Sequence, residues 1–175
     1  MKRLRVLFVG LIAAACAVSN DARRARSADD AEAAITAGKL PAGYRDWRLI
    51  SVAHEEANLD DIRAVLGNDV AINAYRSGAP PFPDGTIIAR LAWQYEASSE
   101  NNAVFGKAQS FVAGHPKNGI QFMVKNSTAY ASTGGWKYAQ FDEGKPLTDA
   151  AKIQSCFDCH ANIRDRDFVF TRYAR

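Results

Sequence analysis

The sequence predicts an α+β fold: a mostly antiparallel β-sheet with a few short helices, one of them near the C-terminus. Three observations predict it. Several short stretches between residues 47 and 141 alternate in polarity or are rich in β-branched and aromatic residues, as strands of a half-buried sheet are. Turn chemistry separates them, most plainly at Ala79-Pro80-Pro81-Phe82-Pro83-Asp84-Gly85 and Asp142-Glu143-Gly144-Lys145-Pro146. A length of 175 residues, 47% hydrophobic and 23% charged, suits one globular domain with a proper core.

The chain opens on a leader. Met1-Lys2-Arg3-Leu4-Arg5 is a basic start, and Val6 to Val18 is an apolar run too short to span a bilayer. Ala13, Ala14, Ala15 and Ala17 offer small residues where a signal peptidase cuts. The segment reads as a secretory signal peptide. Ala13-Ala14-Ala15-Cys16 also loosely resembles a bacterial lipoprotein box, which makes lipidation at Cys16 the alternative fate of this leader. The formal net charge of +3 comes from Lys2, Arg3 and Arg5, so trimming these brings it to zero and leaves no nucleic-acid footprint. Residues 1–26 are read as signal peptide and mobile arm, and residues 27–175 as a single domain.

From Asn20 to Leu40 the chain is rich in Ala, Asp and Arg, and the expectation is a mobile arm or a peripheral helix capped by Ser27. The sheet begins with Trp47 to Ala53, which alternates, and continues with Ile62 to Leu66. Asn68 then caps a short helix to Arg76. Thr86 to Glu96 is the strongest strand, with Ile88, Arg90 and Ala92 on one face and Ile87, Ala89 and Leu91 on the other. Residues 97–102 read as a polar loop. Phe105, Phe111 and Val112 mark a further strand, and His115-Pro116 a solvated turn. In Gly119 to Lys125, Ile120, Phe122 and Val124 oppose Gln121, Met123 and Lys125. Trp136 to Phe141 alternates again, and Thr148 to Ala161 reads as a helix. The tail Asp167-Phe168-Val169-Phe170-Thr171 is apolar enough to pack back on the sheet.

That last helix carries Cys156-Phe157-Asp158-Cys159-His160, which is Cys-x-x-Cys-His, the attachment motif for one c-type haem. Two thiols three residues apart on a helical turn reach the vinyl groups along one porphyrin edge. His160 then lies beneath the ring centre, where its imidazole takes an axial position on the iron. A zinc knuckle would want two more Cys or His at ligand spacing, and His54 and His115 stand isolated. A thioredoxin-like site would want a βαβ setting, which the motif lacks. Export and covalent haem agree, because c-type haem is attached on the outer side of the bacterial inner membrane. The expected location is the periplasm. With Cys16 in the leader, Cys156 and Cys159 leave no structural disulfide.

A second axial ligand would have to come from upstream. Only fifteen residues follow His160, and none is Met or His. His54 and His115 read as surface residues and Met123 as core filling. The expectation is a five-coordinate iron with an open face.

Tyr44-Arg45-Asp46-Trp47, Phe82-Pro83-Asp84-Gly85-Thr86, Trp136, the Cys156–His160 motif and Asp167-Phe168-Val169-Phe170-Thr171 occur in this order over most of the chain. In this the sequence resembles the cytochrome P-460 and cytochrome c′-beta group. The resemblance implies a sheet-rich periplasmic haem protein, a homodimer, with a vacant distal site. Members of the P-460 branch resemble hydroxylamine-oxidising enzymes, with the haem cross-linked to a lysine on the strand after Phe-x-Asp-Gly-Thr. The c′-beta branch binds nitric oxide without that bond. Here the lysine position, five residues after Gly85, is Arg90, a poor nucleophile. Gln121 stands near the position of a distal carboxylate, and an amide is no general base. Lys107 or Lys125 would supply the cross-link under another alignment. Arg90, Gln121 and Phe122 are thus the haem-contacting candidates beside the motif; a steric cap is the second reading of Phe105 and Phe122, after an ordinary core role for each. Nitric oxide binding is the favoured reading. An oxidoreductase acting on hydroxylamine or peroxide, fed by a redox-partner cytochrome, follows it, and a plain electron carrier comes last.

Overall fold

The structure, a computed structural model, describes residues 22–174. The signal peptide and Cys16 lie outside the described residues. Six strands form one antiparallel sheet in sequence order: β1 (Arg48–Glu55), β2 (Asp61–Gly67), β3 (Ile87–Ala97), β4 (Phe111–Lys125), β5 (Trp136–Asp142) and β6 (Lys145–Pro146). Helix α1 covers residues 22–36, α2 is Asp69–Arg76, α3 is Ser99–Phe105 and α4 is Ala150–His160. The α+β expectation holds.

Antiparallel partners share a face, so the register sorts the side chains. Leu66, Ala89, Phe122 and Ala139 form one row, and Val65, Arg90, Gln121 and Gln140 form the next on the opposite face. On the first face, Leu66, Ala89, Leu91, Phe122, Val124 and Phe141 pack beneath Ala31 and Ile35 of α1. The second face splits in two. Its apolar half, with Val65, Ile88 and Tyr138, packs with Ile50, Ala71, Ile72, Phe82 and Val169, and takes Ile153, Cys156 and Phe157 of α4. Its polar half, centred on Arg90 and Gln121, faces a cavity.

Local signals set the helix starts. Asn68 Oδ1 accepts from the Ala71 N–H at 2.9 Å and from the Ile87 N–H at 3.1 Å, while its amide donates to the Gly85 carbonyl at 2.8 Å. One side chain thus caps α2 and ties it to β3. Asp149 caps α4 by accepting from the Ala151 and Lys152 N–H groups.

Four expectations are corrected. Helix α1 already runs through residues 22–26, so Ser27 is not its cap; Ala28, Ala31 and Ile35 recur at helical spacing and are buried. The polar loop at residues 97–102 is largely helix α3, capped by Ser98, whose hydroxyl accepts from the Asn101 N–H. Phe105 ends that helix with its ring half exposed, and is neither strand nor steric cap. His115-Pro116 is no turn, because β4 runs through it beside β3 and absorbs the proline at an irregularity opposite Trp93.

Candidate functional site

A cavity of about 480 Å³ lies between the polar half of the sheet and the C-terminal end of α4. Cys156, Cys159 and His160 line one wall, and Arg63, Arg90 and Gln121 line the sheet side. Both thiols are unpaired. Burial pushes the Cys156 thiol up, keeping it protonated, and its Sγ lies 3.5 Å from the Lys152 carbonyl one turn back.

His160 is the most constrained group. Its Nδ1 lies 2.6 Å from the Phe168 carbonyl oxygen. A carbonyl can only accept, so Nδ1 carries the proton and Nε2 keeps its lone pair. Tyr138 and Phe170 hold the ring, with centroids at 5.1 and 5.0 Å. Burial pushes the imidazole below the ordinary histidine range, against the opposing pull of the Phe168 hydrogen bond. A neutral imidazole with a free Nε2 is the form that ligates a metal.

The sheet wall is a hydrogen-bonded chain in which Asp61 joins two arginines and two glutamine amides extend it. Asp61, fully buried, accepts from Arg63 Nε at 2.7 Å through Oδ1, and from Arg90 Nη2 through Oδ2. Arg90 Nη1 donates to Gln121 Oε1 at 3.0 Å, and Gln121 Nε2 donates to Gln140 Oε1 at 2.9 Å. Burial and the Arg63 cation push Arg90 below its ordinary value, while Asp61 pulls it back. Among the described residues, two buried side-chain donors lack a protein partner: Arg63 Nη2 and the Tyr138 hydroxyl. Both residues line this cavity.

A space of this volume is in the range of a cofactor site. Val65, Ile88, Met123 and Phe170 give it apolar walls, and the two unpartnered donors call for acceptors that the protein does not supply. A flat, largely apolar group with acidic substituents and a metal at its centre fits such a donor set. The cytochrome P460 family model matches residues 41–171.

The chain belongs to the cytochrome P460 family. It is therefore a haem protein. No match to a curated protein was found.

In this family member the motif residues Cys156, Cys159 and His160 meet Arg90 and Gln121 around one cavity, although β3 and β4 lie far from the motif in sequence. Phe122 borders the same cavity, but its ring takes the core role and not that of a steric cap. Its ring is 1% exposed and packs edge-on against Tyr44, Trp47 and Phe141 on the other side of the sheet. Strand alternation decides this, since Phe122 sits between Gln121 and Met123. His54 stacks on Tyr95 at 4.0 Å, and neither it nor His115 lines the cavity; Met123 does. Lys125 is turned away, its ammonium donating to Asp167 at 2.6 Å and to the Gly134 carbonyl at 3.1 Å. Lys107 is exposed beyond α3, and among the described residues no lysine lines the cavity.

Sequence reasoning missed Asp61, Arg63 and Tyr138. The signal was there in part: Asp61 and Arg63 alternate at the head of an otherwise apolar strand. Their meaning appears only once β2 is placed beside β3, with Arg63 opposite Ala92 and Val65 opposite Arg90.

Proposed function

We propose that this cytochrome P460 family protein is exported to the periplasm, carries one haem bound covalently through Cys156 and Cys159, and takes up nitric oxide or a related small ligand. The observation that carries the reading is the His160 tautomer: Nδ1 is committed to the Phe168 carbonyl, which leaves Nε2 free at the wall that both thiols share. The haem supplies an iron able to bind small ligands. The protein's residues do the rest. Cys156 and Cys159 would hold the haem by its edge, His160 would offer its free Nε2 to the iron, and the apolar walls would limit water.

Hydroxylamine oxidation through a lysine-linked haem is the weaker reading. Arg90 stands where the lysine would, its guanidinium is held by Asp61 and Gln121, and no lysine among the described residues lines the cavity. Peroxide chemistry has one observation in its favour. Arg63 Nη2 is a buried donor with no protein partner, and such a group stabilises negative charge developing on a bound oxygen.

The deciding measurement is the absorption spectrum of the purified protein, ferric and ferrous, with denaturing mass spectrometry to weigh the attached haem. A broad high-spin spectrum that shifts on adding nitric oxide is the expected result. Sharp low-spin bands in the ferrous form would overturn it and give Met123, the upstream axial candidate on the cavity wall, the sixth position. A ferrous band displaced far to the red, with a third covalent link in the mass, would restore the hydroxylamine reading.

A further inference from the structure

We propose that Lys125 and Asp167 are positioning residues for His160: their ion pair fixes the Phe168 carbonyl that receives the Nδ1 proton, and so sets how strongly Nε2 holds an iron. The inference rests on the axial role of His160 proposed above.

Three observations converge on that carbonyl. Asp167 and Phe168 lie in the left-handed region, at φ 50° and 64°. Two consecutive non-glycine residues there are strained, so the surrounding structure must hold them. The Asp167 carboxylate is what is held. Oδ2 accepts from the Phe82 N–H at 2.8 Å, and Oδ1 from the Lys125 ammonium at 2.6 Å and the Trp136 indole at 3.3 Å. Lys125 and Asp167 side chains are only 10% and 12% exposed, so solvent screens the pair weakly.

The second anchor is Gly134. Its carbonyl accepts from Lys125 at 3.1 Å, and a Cβ there would lie 2.2 Å from the Phe168 ring. The same lysine therefore grips the residue before Phe168 and the glycine that makes room for its ring. Between these two grips, the Phe168 carbonyl is aimed at His160 Nδ1 at 2.6 Å. A carbonyl on one imidazole nitrogen raises the basicity of the other and locks the ring's orientation. Loosening the clamp should weaken the bond that Nε2 makes.

The test uses the ferrous holoprotein, reading the iron–histidine stretching band by resonance Raman and the rate at which nitric oxide displaces His160. Lys125→Met and Gly134→Ala each lower the band and raise the displacement rate about tenfold, the lower end of the effect expected for an outer-shell partner. Lys125→Arg restores both. Should Lys125→Met fail to accumulate as holoprotein, Gly134→Ala against wild type carries the comparison. Variants that lose stability but keep the wild-type band and rate would overturn the proposal, leaving the pair as a staple for the tail. A wild-type protein with no iron–histidine band would instead remove the axial role of His160, and the inference with it.

Discussion

Asp61→Asn is the sharpest perturbation of the cavity wall, because it removes one negative charge and almost no volume. Asp61 is fully buried and holds two guanidinium groups, and the Arg63 and Arg90 side chains are themselves 13% and 16% exposed. Breaking a buried pair by removing one partner costs about 3–5 kcal/mol, since the remaining charge stays buried and uncompensated. Both arginines lean on this carboxylate, although Arg63 also pairs with Glu55 at 3.5 Å, which keeps the expected loss within that range. For a chain of this size that corresponds to a fall in Tm of roughly 10 °C or more. The assay is chemical denaturation of the holoprotein. A second substitution separates the charge argument from simple packing. In the Asp61→Asn background, Arg63→Met removes one of the two stranded cations and should recover part of the loss, although alone it is destabilising. A single-variant loss under about 1 kcal/mol, or a double variant weaker than the sum of its parts, would refute the reasoning.

Arg63→Met should weaken azide binding to the ferric protein by roughly tenfold or more, the equivalent of one charge-assisted hydrogen bond, with carbon monoxide affinity in the ferrous form unchanged; ligand titration by absorbance checks it. Phe122→Ala should cost about 3–5 kcal/mol in denaturation yet leave the haem spectrum as it was, because the ring is buried on the far side of the sheet. In haem-free protein, His160 makes stability depend on pH. Burial lowers its folded-state pKa below the unfolded value of about 6.5, so the unfolded chain binds the proton first and stability falls as pH drops through that value. Urea midpoints at neutral and mildly acidic pH should show this slope, and His160→Gln should remove it.

Much of the fold was legible because its determinants are local. Alternation placed β1, β2, β3 and β5 within a residue or two, and Asn68 marked the start of α2. Helix α3 escaped because its residues, Ser-Glu-Asn-Asn-Ala-Val-Phe, bury nothing and so show no apolar stripe. The passage of β4 through Pro116 escaped because a proline two residues after a glycine reads as a turn, and only the long partner strand β3 holds it in the ladder.

The sequence by itself determined the motif: two thiols and an imidazole within five consecutive residues, whose relation depends only on the helix that carries them. It also determined which residues alternate, and hence that Gln121 shares no face with Phe122. Tertiary structure decided everything that rests on pairing between distant positions. Arg90 meets Asp61 across 29 residues and Lys125 meets Asp167 across 42, and neither pair exists until the strands settle into register and the tail folds back. His160 could be named as a ligand from its neighbours, but which of its nitrogens is free was decided by the Phe168 carbonyl. That carbonyl takes its direction from a left-handed turn, which the chain holds only where a buried lysine compensates the aspartate beside it.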